Sequence, residues 1–216
     1  MRNFVRKTCI YIIAIYLKLF YHHKVYGKKH ISKKGGIVAS NHSSFLDPPI
    51  LGVSCPDEVH FLARASLFKG PIFGWLIRTL NTHPVESGKG NIATFKLAYE
   101  LLSQGKKVVV FPEGTRSPDG NLQQGKAGAG LLVLRAKCSV IPVYISGSYE
   151  VWNVHRKLPH LFNRRTACIF GSSIDFSHLF ELEDKRKAQE EIVEGIMAAI
   201  ARLRDWYLGG AKGNPP

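Results

Sequence analysis

The sequence predicts an α/β fold: a single domain built on a central mixed β-sheet flanked by helices. Three observations carry this. Short apolar runs at 36–39, 107–111 and 140–145 each have the length of a buried strand. Segments with helical apolar periodicity lie between and after them, at 91–103 and 184–207. A chain of 216 residues with 45% apolar content can bury one sizeable core.

In order, residues 1–26 open with Arg2, Arg6 and Lys7, then an apolar and aromatic run from Cys9 to Leu17, then Lys18 and Leu19-Phe20-Tyr21. The uncharged run falls short of the about 20 apolar residues of a spanning helix. A charged start and such a run also fit a signal peptide, but no small-residue cleavage site follows. The reading we favour is an interfacial helix with Phe4, Tyr11, Tyr16, Phe20 and Tyr21 at the lipid boundary and the basic side chains reaching headgroups. Lys24, Lys28, Lys29, Lys33 and Lys34 would extend the contact with anionic membrane lipids. The alternative is an ordinary helix packed on the core, followed by a solvated basic loop. Residues 27–210 form the main domain, and 211–216 are expected to be a disordered tail.

The run 36–39 ends in the polar turn Ser40-Asn41-His42-Ser43-Ser44, with a helix expected from Pro48. A second strand is expected at 58–63, a helix from Pro71 and a short strand at 82–85. The helix from Pro71 is apolar on most sides, so it belongs to the core or faces lipid. In the helix 91–103, Ile92, Phe95, Leu97, Leu101 and Leu102 are expected inward. Pro142 removes one ladder donor from 140–145 and suggests an edge or a bulge. A last strand is expected at 166–170, after an irregular basic stretch at 149–165. The helix 184–207 carries Ile192, Val193, Ile196, Met197, Ile200 and Leu203 as a core stripe.

The net charge of +14 points to anionic partners. It is unevenly placed: residues 1–46 hold nine Lys or Arg and no acid. Cys9, Cys55, Cys138 and Cys168 are scattered, which argues against a disulfide framework or a zinc site.

Chemistry concentrates at two strand ends. His42 and Asp47 have the parts of a general base and its orienter: a histidine's ordinary pKa of about 6.5 lets it accept a proton at neutral pH, and a carboxylate fixes the ring's tautomer. A capping Asp beside an exposed His is the plain alternative. At the second strand end, Arg116 offers a fork of donors suited to phosphate, and Glu113 suits a substrate hydroxyl or Arg116 itself. The segment 120–127 nearly matches a nucleotide-binding loop but has Ala127 where that loop needs Ser or Thr. Lys126 remains a candidate anion contact at a helix start.

Taken together, these motifs resemble the 1-acylglycerol-3-phosphate acyltransferase family over roughly residues 36–150. Asn41-His42 with Asp47 is similar to the family's His-x4-Asp motif, and Phe111-Pro112-Glu113-Gly114-Thr115-Arg116-Ser117 to its acceptor-binding motif. Arg64, Leu67, Pro71 and Gly74 resemble the segment between them, and Val140-Ile141-Pro142-Val143 the final motif. The order and spacing of all four carry the resemblance. It implies a glycerolphosphate acyltransferase-like fold, with His42 and Asp47 catalytic. Glu113, Gly114, Thr115 and Arg116, with Arg64 and Lys126, would bind the substrate. The reaction it implies is acyl transfer from acyl-CoA or acyl-carrier protein to the sn-2 hydroxyl of lysophosphatidate, in phospholipid biosynthesis, with no cofactor and no metal. The enzyme would act at the cytoplasmic face of a membrane. One position departs: where the family shows an acidic residue followed by Arg, this chain reads Glu86-Ser87, so Lys89 substitutes or the contact is missing.

The nearest alternative is the same chemistry on glycerol-3-phosphate or another lysolipid. A hydrolase would need an activated Ser, and no Gly-x-Ser-x-Gly occurs. A non-enzymatic basic protein that binds membrane is more remote, and no nucleic-acid motif is present.

Overall fold

A computed structural model describes residues 2–86 and 92–216. Seven strands form one sheet in the order β1-β7-β6-β2-β5-β3-β4. They are β1 (Lys24–Tyr26), β2 (Gly36–Ser40), β3 (Val59–Arg64), β4 (Thr82–Val85), β5 (Lys107–Val110), β6 (Val140–Ser146) and β7 (Ala167–Phe170). From β4 through β6 all neighbours run parallel, whereas β6 and β7 are antiparallel and β1 follows β7. The sheet is therefore mixed, as expected.

The helices are α1 (Arg2–Tyr21), α2 (Asp47–Ser54), α3 (Pro71–Thr79), α4 (Ile92–Ser103), α5 (Ala127–Ala136), α6 (Ser148–Trp152) and α7 (Lys185–Leu208). Two large cores result from the period-2 alternation of strand side chains, beside a smaller cluster of Ala167, Ile169 and Leu203. Val38, Val109 and Ile141 pack with Leu17, Tyr21, Ile50 and Leu51 beneath α1 and α2. Ile37, Val108 and Val140 pack with Leu101, Leu132, Ile192 and Ile196 beneath α4, α5 and α7. The register aligns both sets: Ile37 faces Val108 and Val140, and Val38 faces Val109 and Ile141. Asp184 caps α7 by accepting from the Lys187 amide at 3.0 Å.

Several expectations are corrected. Strand β6 is interior, so Pro142 marks a bulge and not an edge. Val143 pairs with Phe170 but Val140 bridges Ile174, which leaves three residues opposite two. The Val140 amide donates toward β7, so two residues on the missing donor of Pro142 faces that bulge. Ile92, expected inward, is 78% exposed because it opens the first turn of α4, beyond the reach of the sheet. Tyr21 is wholly buried, and Tyr16 and Phe20 pack against the same core, so of the expected boundary aromatics Phe4 and Tyr11 are the ones that face outward. Strand β1 forms at the end of the segment 1–26 expected to be the interfacial helix, because Lys24, Val25 and Tyr26 pair with Ala167, Cys168 and Ile169. The tail 211–216 is docked: Pro215 is buried and Pro216 accepts from the Ser172 amide at 3.0 Å. Ser87 and Lys89 lie outside the described residues.

The topology places the site. From β2 the chain passes through α2 toward β3; from β5, the neighbour of β2, it passes through α5 to β6 on the other side. The two connections diverge over opposite faces. The crevice at the carboxyl ends of β2 and β5 is thus a topological switch point, where open α/β sheets bind ligands.

Candidate active site

Strand β2 ends at Ser40, and Asn41 continues its pairing by side chain. Its Nδ2 donates to the Ile145 carbonyl at 3.0 Å and its Oδ1 accepts from the Ile145 amide at 2.7 Å. This holds the start of the turn while the backbone leaves the sheet. Asp47, at the start of α2 and 0% exposed, then gathers the turn around one oxygen. Asp47 Oδ2 accepts from the Ser43 and Ser44 amides, each at 2.7 Å, and from His42 Nδ1 at 2.8 Å. A carboxylate accepts, so the imidazole donates from Nδ1 and keeps its basic lone pair on Nε2. The ring stacks on Phe111 with centroids 4.0 Å apart. His42 is therefore fixed in tautomer by Asp47 and in plane by Phe111.

The second strand end locks onto the first. Glu113 Oε1 accepts from the His42 amide at 3.0 Å and Oε2 from the Gln123 amide at 3.3 Å. The His42 carbonyl in turn accepts from the Ser117 amide at 2.7 Å. Glu113 is 1% exposed, and burial raises its pKa from 4.5 to about 7 against the opposing pull of the two amides. Its expected contact with substrate or Arg116 is thus replaced by a structural one: both oxygens already hold backbone.

Arg116 lies over the Phe45 ring, with its guanidinium carbon 3.7 Å from the centroid. Its Nη1 is buried and has no hydrogen-bond partner. Burial and the nearby Arg64 both lower its pKa, so two cations share one region. Arg64 stands exposed at the end of β3. Gly114 and Thr115 are exposed beside Arg116. A side chain at Gly114, whose φ is +69°, would meet the Lys126 stem at 3.0 Å, so Lys126 lies across that glycine. Lys126 also anchors the loop, its amide donating to the Pro112 carbonyl at 2.8 Å.

All eight sequence-predicted residues thus sit at or next to the β2, β3 and β5 strand ends, with Glu113 in a supporting role. The sequence motifs held Asn41 and Phe111 without giving either a role, and sequence reasoning missed Phe45 and Gln123 as parts of the site. Phe45 left a signal, an aromatic inside a polar turn; Gln123 left none, and neither did the role of Asn41, since backbone partners carry no sequence mark.

A family model described as acyltransferase matches residues 22–146, a span that holds every one of these residues. The chain belongs to the acyltransferase family. The resemblance read from the four motifs to the 1-acylglycerol-3-phosphate acyltransferases is borne out. The 1-acyl-sn-glycerol-3-phosphate acyltransferase of Bacillus subtilis is 30% identical over 179 residues, covering 80% of this chain and 85% of that protein. The chloroplastic 1-acyl-sn-glycerol-3-phosphate acyltransferase LPAT1 of Arabidopsis thaliana is 31% identical over 136 residues, 61% of this chain and 38% of that protein. This chain spans well under half the length of that plant acyltransferase. The crystal structure of the 1-acyl-sn-glycerophosphate acyltransferase PlsC from Thermotoga maritima is 27% identical, with a TM-score of 0.70 over 93% of this chain and 83% of that one. The acyltransferase fold expected from sequence is the fold observed.

Proposed function

We propose that this protein transfers an acyl group from acyl-CoA or acyl-carrier protein to the sn-2 hydroxyl of lysophosphatidate, forming phosphatidate. The observation that carries it is one crevice holding both an oriented imidazole and an unpartnered, buried guanidinium nitrogen. His42 Nε2 takes the proton of the acceptor hydroxyl as its oxygen attacks the thioester carbonyl. The carbon–sulfur bond breaks, and the imidazolium returns the proton to the leaving thiolate. Asp47 orients His42 throughout and offsets the charge that forms. Arg116 binds the acceptor's phosphate, with Arg64 and Lys126 adding positive potential and Gly114 and Thr115 shaping the approach. General-base assistance of this kind supplies about 10²–10⁴ in rate, and fixing the two substrates in place supplies more.

The acceptor is a lipid, and the surface is consistent with drawing it from a bilayer. No helix among the described residues is long and apolar enough to cross a membrane. Helix α1 nonetheless has two apolar faces. Leu17 and Tyr21 enter the core, while Phe4, Tyr11, Ile12, Ile15 and Leu19 form an open stripe at helical spacing, bordered by Lys7 and Lys18. In α3, Ile72, Phe73 and Trp75 are exposed, which favours the lipid-facing reading of that helix. These exposed apolar faces support a peripheral or monotopic attachment to anionic lipid.

The test is transfer from labelled acyl-CoA in detergent micelles, with lysophosphatidate and glycerol-3-phosphate offered separately. Phosphatidate is expected from lysophosphatidate alone, lost in His42→Ala. In Arg116→Ala the KM for the acceptor rises and that for the donor does not. Product from glycerol-3-phosphate only would reassign the acceptor, and full activity in His42→Ala would remove the mechanism.

A further inference from the structure

From Val151 to Ile174 the chain holds no acidic residue, and the middle of this stretch is an irregular loop with Arg156, Lys157 and Arg164 exposed. The same loop turns three large apolar side chains to solvent: Leu158 is 78% exposed, Phe162 65% and Leu161 47%. This exposure is imposed by the backbone. The His160 amide donates to the Val151 carbonyl at 2.9 Å, the wholly buried Tyr21 donates its hydroxyl proton to the His160 carbonyl at 2.8 Å, and the Trp152 indole donates to the Arg156 carbonyl at 3.2 Å. A loop tied down at three points presents its apolar residues outward because the fold holds them there.

Its position is defined by α1 and by the site. Phe162 meets the core-packed Phe20 near the end of α1, with centroids 5.7 Å apart, so the loop is seated beside that end of the helix. On the other side, the Trp152 carbonyl accepts from the Phe45 amide at 3.2 Å and from the Ser44 hydroxyl at 2.7 Å. Phe45 packs on Trp152 with centroids 5.2 Å apart and supports Arg116 on its ring. Loop, Trp152, Phe45 and Arg116 are thus a continuous series of contacts from the surface to the crevice.

We propose that the loop 156–164 is a second membrane-contact element, inserting Leu158, Leu161 and Phe162 into the interface of an anionic bilayer while Arg156, Lys157 and Arg164 bind its headgroups. The chemistry of the loop selects this occupant: an apolar tip flanked by cations and free of acids matches an anionic interface. With α1 it gives two separated contacts, which fixes the tilt of the domain and turns the crevice toward the lipid surface. The proposal rests on the reading that the acceptor comes from a membrane, but its test does not depend on activity.

The test uses the full-length protein and vesicles of phosphatidylglycerol and phosphatidylcholine in equal parts, with pure phosphatidylcholine as comparison. Replacing Arg156, Lys157 and Arg164 by Gln is expected to weaken partitioning to the anionic vesicles on the order of 100-fold, from roughly fivefold per side chain. Replacing Leu158, Leu161 and Phe162 by Ser is expected to weaken it at least tenfold, with the melting temperature unchanged. In Phe162→Trp, emission above the wild-type background should shift to the blue on anionic vesicles and be quenched by lipids brominated in the acyl chain. Transfer to a short-chain acceptor held below its micellar concentration should be unaffected by the Ser replacements, so a failure of the acyltransferase reading would show separately as no transfer in wild type. Unchanged partitioning in both triple variants, or a tryptophan at 162 that stays unquenched, would overturn the proposal. So would a Gln variant that loses binding to single-stranded RNA while keeping its vesicle binding.

Discussion

At the scale of single residues the site depends on one oxygen. Asp47 Oδ2 has three donors within 2.8 Å, two of them backbone amides that shape the turn and the third the imidazole. Asp47→Asn can put its amide oxygen in the place of Oδ2 and keep all three donors, with its nitrogen at the Oδ1 position, which has no hydrogen-bond partner, but it carries no negative charge. The variant therefore leaves the imidazole in place but removes the charge that offsets the imidazolium as it forms. We expect kcat to fall about 10²–10⁴-fold, with both KM values within about threefold; steady-state kinetics at saturating donor would show it, and a kcat near wild type would mean that the charge of Asp47 does not support the imidazolium. Glu113 makes a different prediction. Its pKa is raised from 4.5 to about 7 by burial, so its contribution to stability is full below about 4.5 and is lost as pH rises through about 7. Glu113→Gln keeps an acceptor for the His42 amide and cannot ionise. Its melting temperature relative to wild type should therefore rise between pH 5 and pH 8, and a constant difference across that range would show that Glu113 does not titrate there. These two residues also mark what the sequence disclosed. His42 and Asp47 were legible because both partners of the bond lie five residues apart. Glu113 was legible as important but not in its role, because its partners are amides from two separate segments.

At the scale of elements, strands β2, β5 and β6 could be read directly: interior strands covered on both faces are apolar at nearly every position, and their runs stand out. Strand β1 could not be read, since its three residues pair only with Ala167–Ile169, some 143 positions away, and Lys24 suits a loop as well as an edge. Helix α1 was legible as a helix but not in how it divides its surface, because both of its faces are apolar and only the packed structure separates them. That division is testable. Leu17 is wholly buried and Tyr11 is exposed, about one and two-thirds turns apart on the same helix. Leu17→Ala should destabilise the domain by about 2–5 kcal/mol, the cost of a cavity in a packed core. Tyr11→Ser should change stability by no more than about 0.5 kcal/mol and instead weaken binding to anionic vesicles. Urea unfolding of both variants separates the faces. Equal destabilisation would mean that Tyr11 is packed and that the outer stripe is not free for lipid. Deleting the whole helix would be a poorer experiment, since Leu17 and Tyr21 would leave the core open.

At the scale of the whole molecule, the charge and the apolar surface act together. The chain carries +14, and its first 46 residues contain no acid. Lys7 and Lys18 of α1, Lys24, Lys28, Lys29, Lys33 and Lys34 after it, and Arg156, Lys157 and Arg164 of the loop 156–164 are exposed and subject to screening, whose length falls from about 30 Å at 0.01 M salt to about 3 Å at 1 M. Apolar insertion is not screened in this way. The two contributions should therefore separate in a salt titration of the intact protein on anionic vesicles. We expect affinity to fall at least tenfold between 0.05 and 0.5 M sodium chloride and then to level off on a plateau set by Phe4, Leu19, Phe162 and the exposed face of α3. The plateau should persist on neutral vesicles, and substitution of those apolar residues by Ser should lower it without changing the slope. A fall that continues to zero would make the attachment purely electrostatic and leave the exposed aromatics without a lipid role. Binding that ignores salt would mean that the basic residues face away from the bilayer, and the crevice with them.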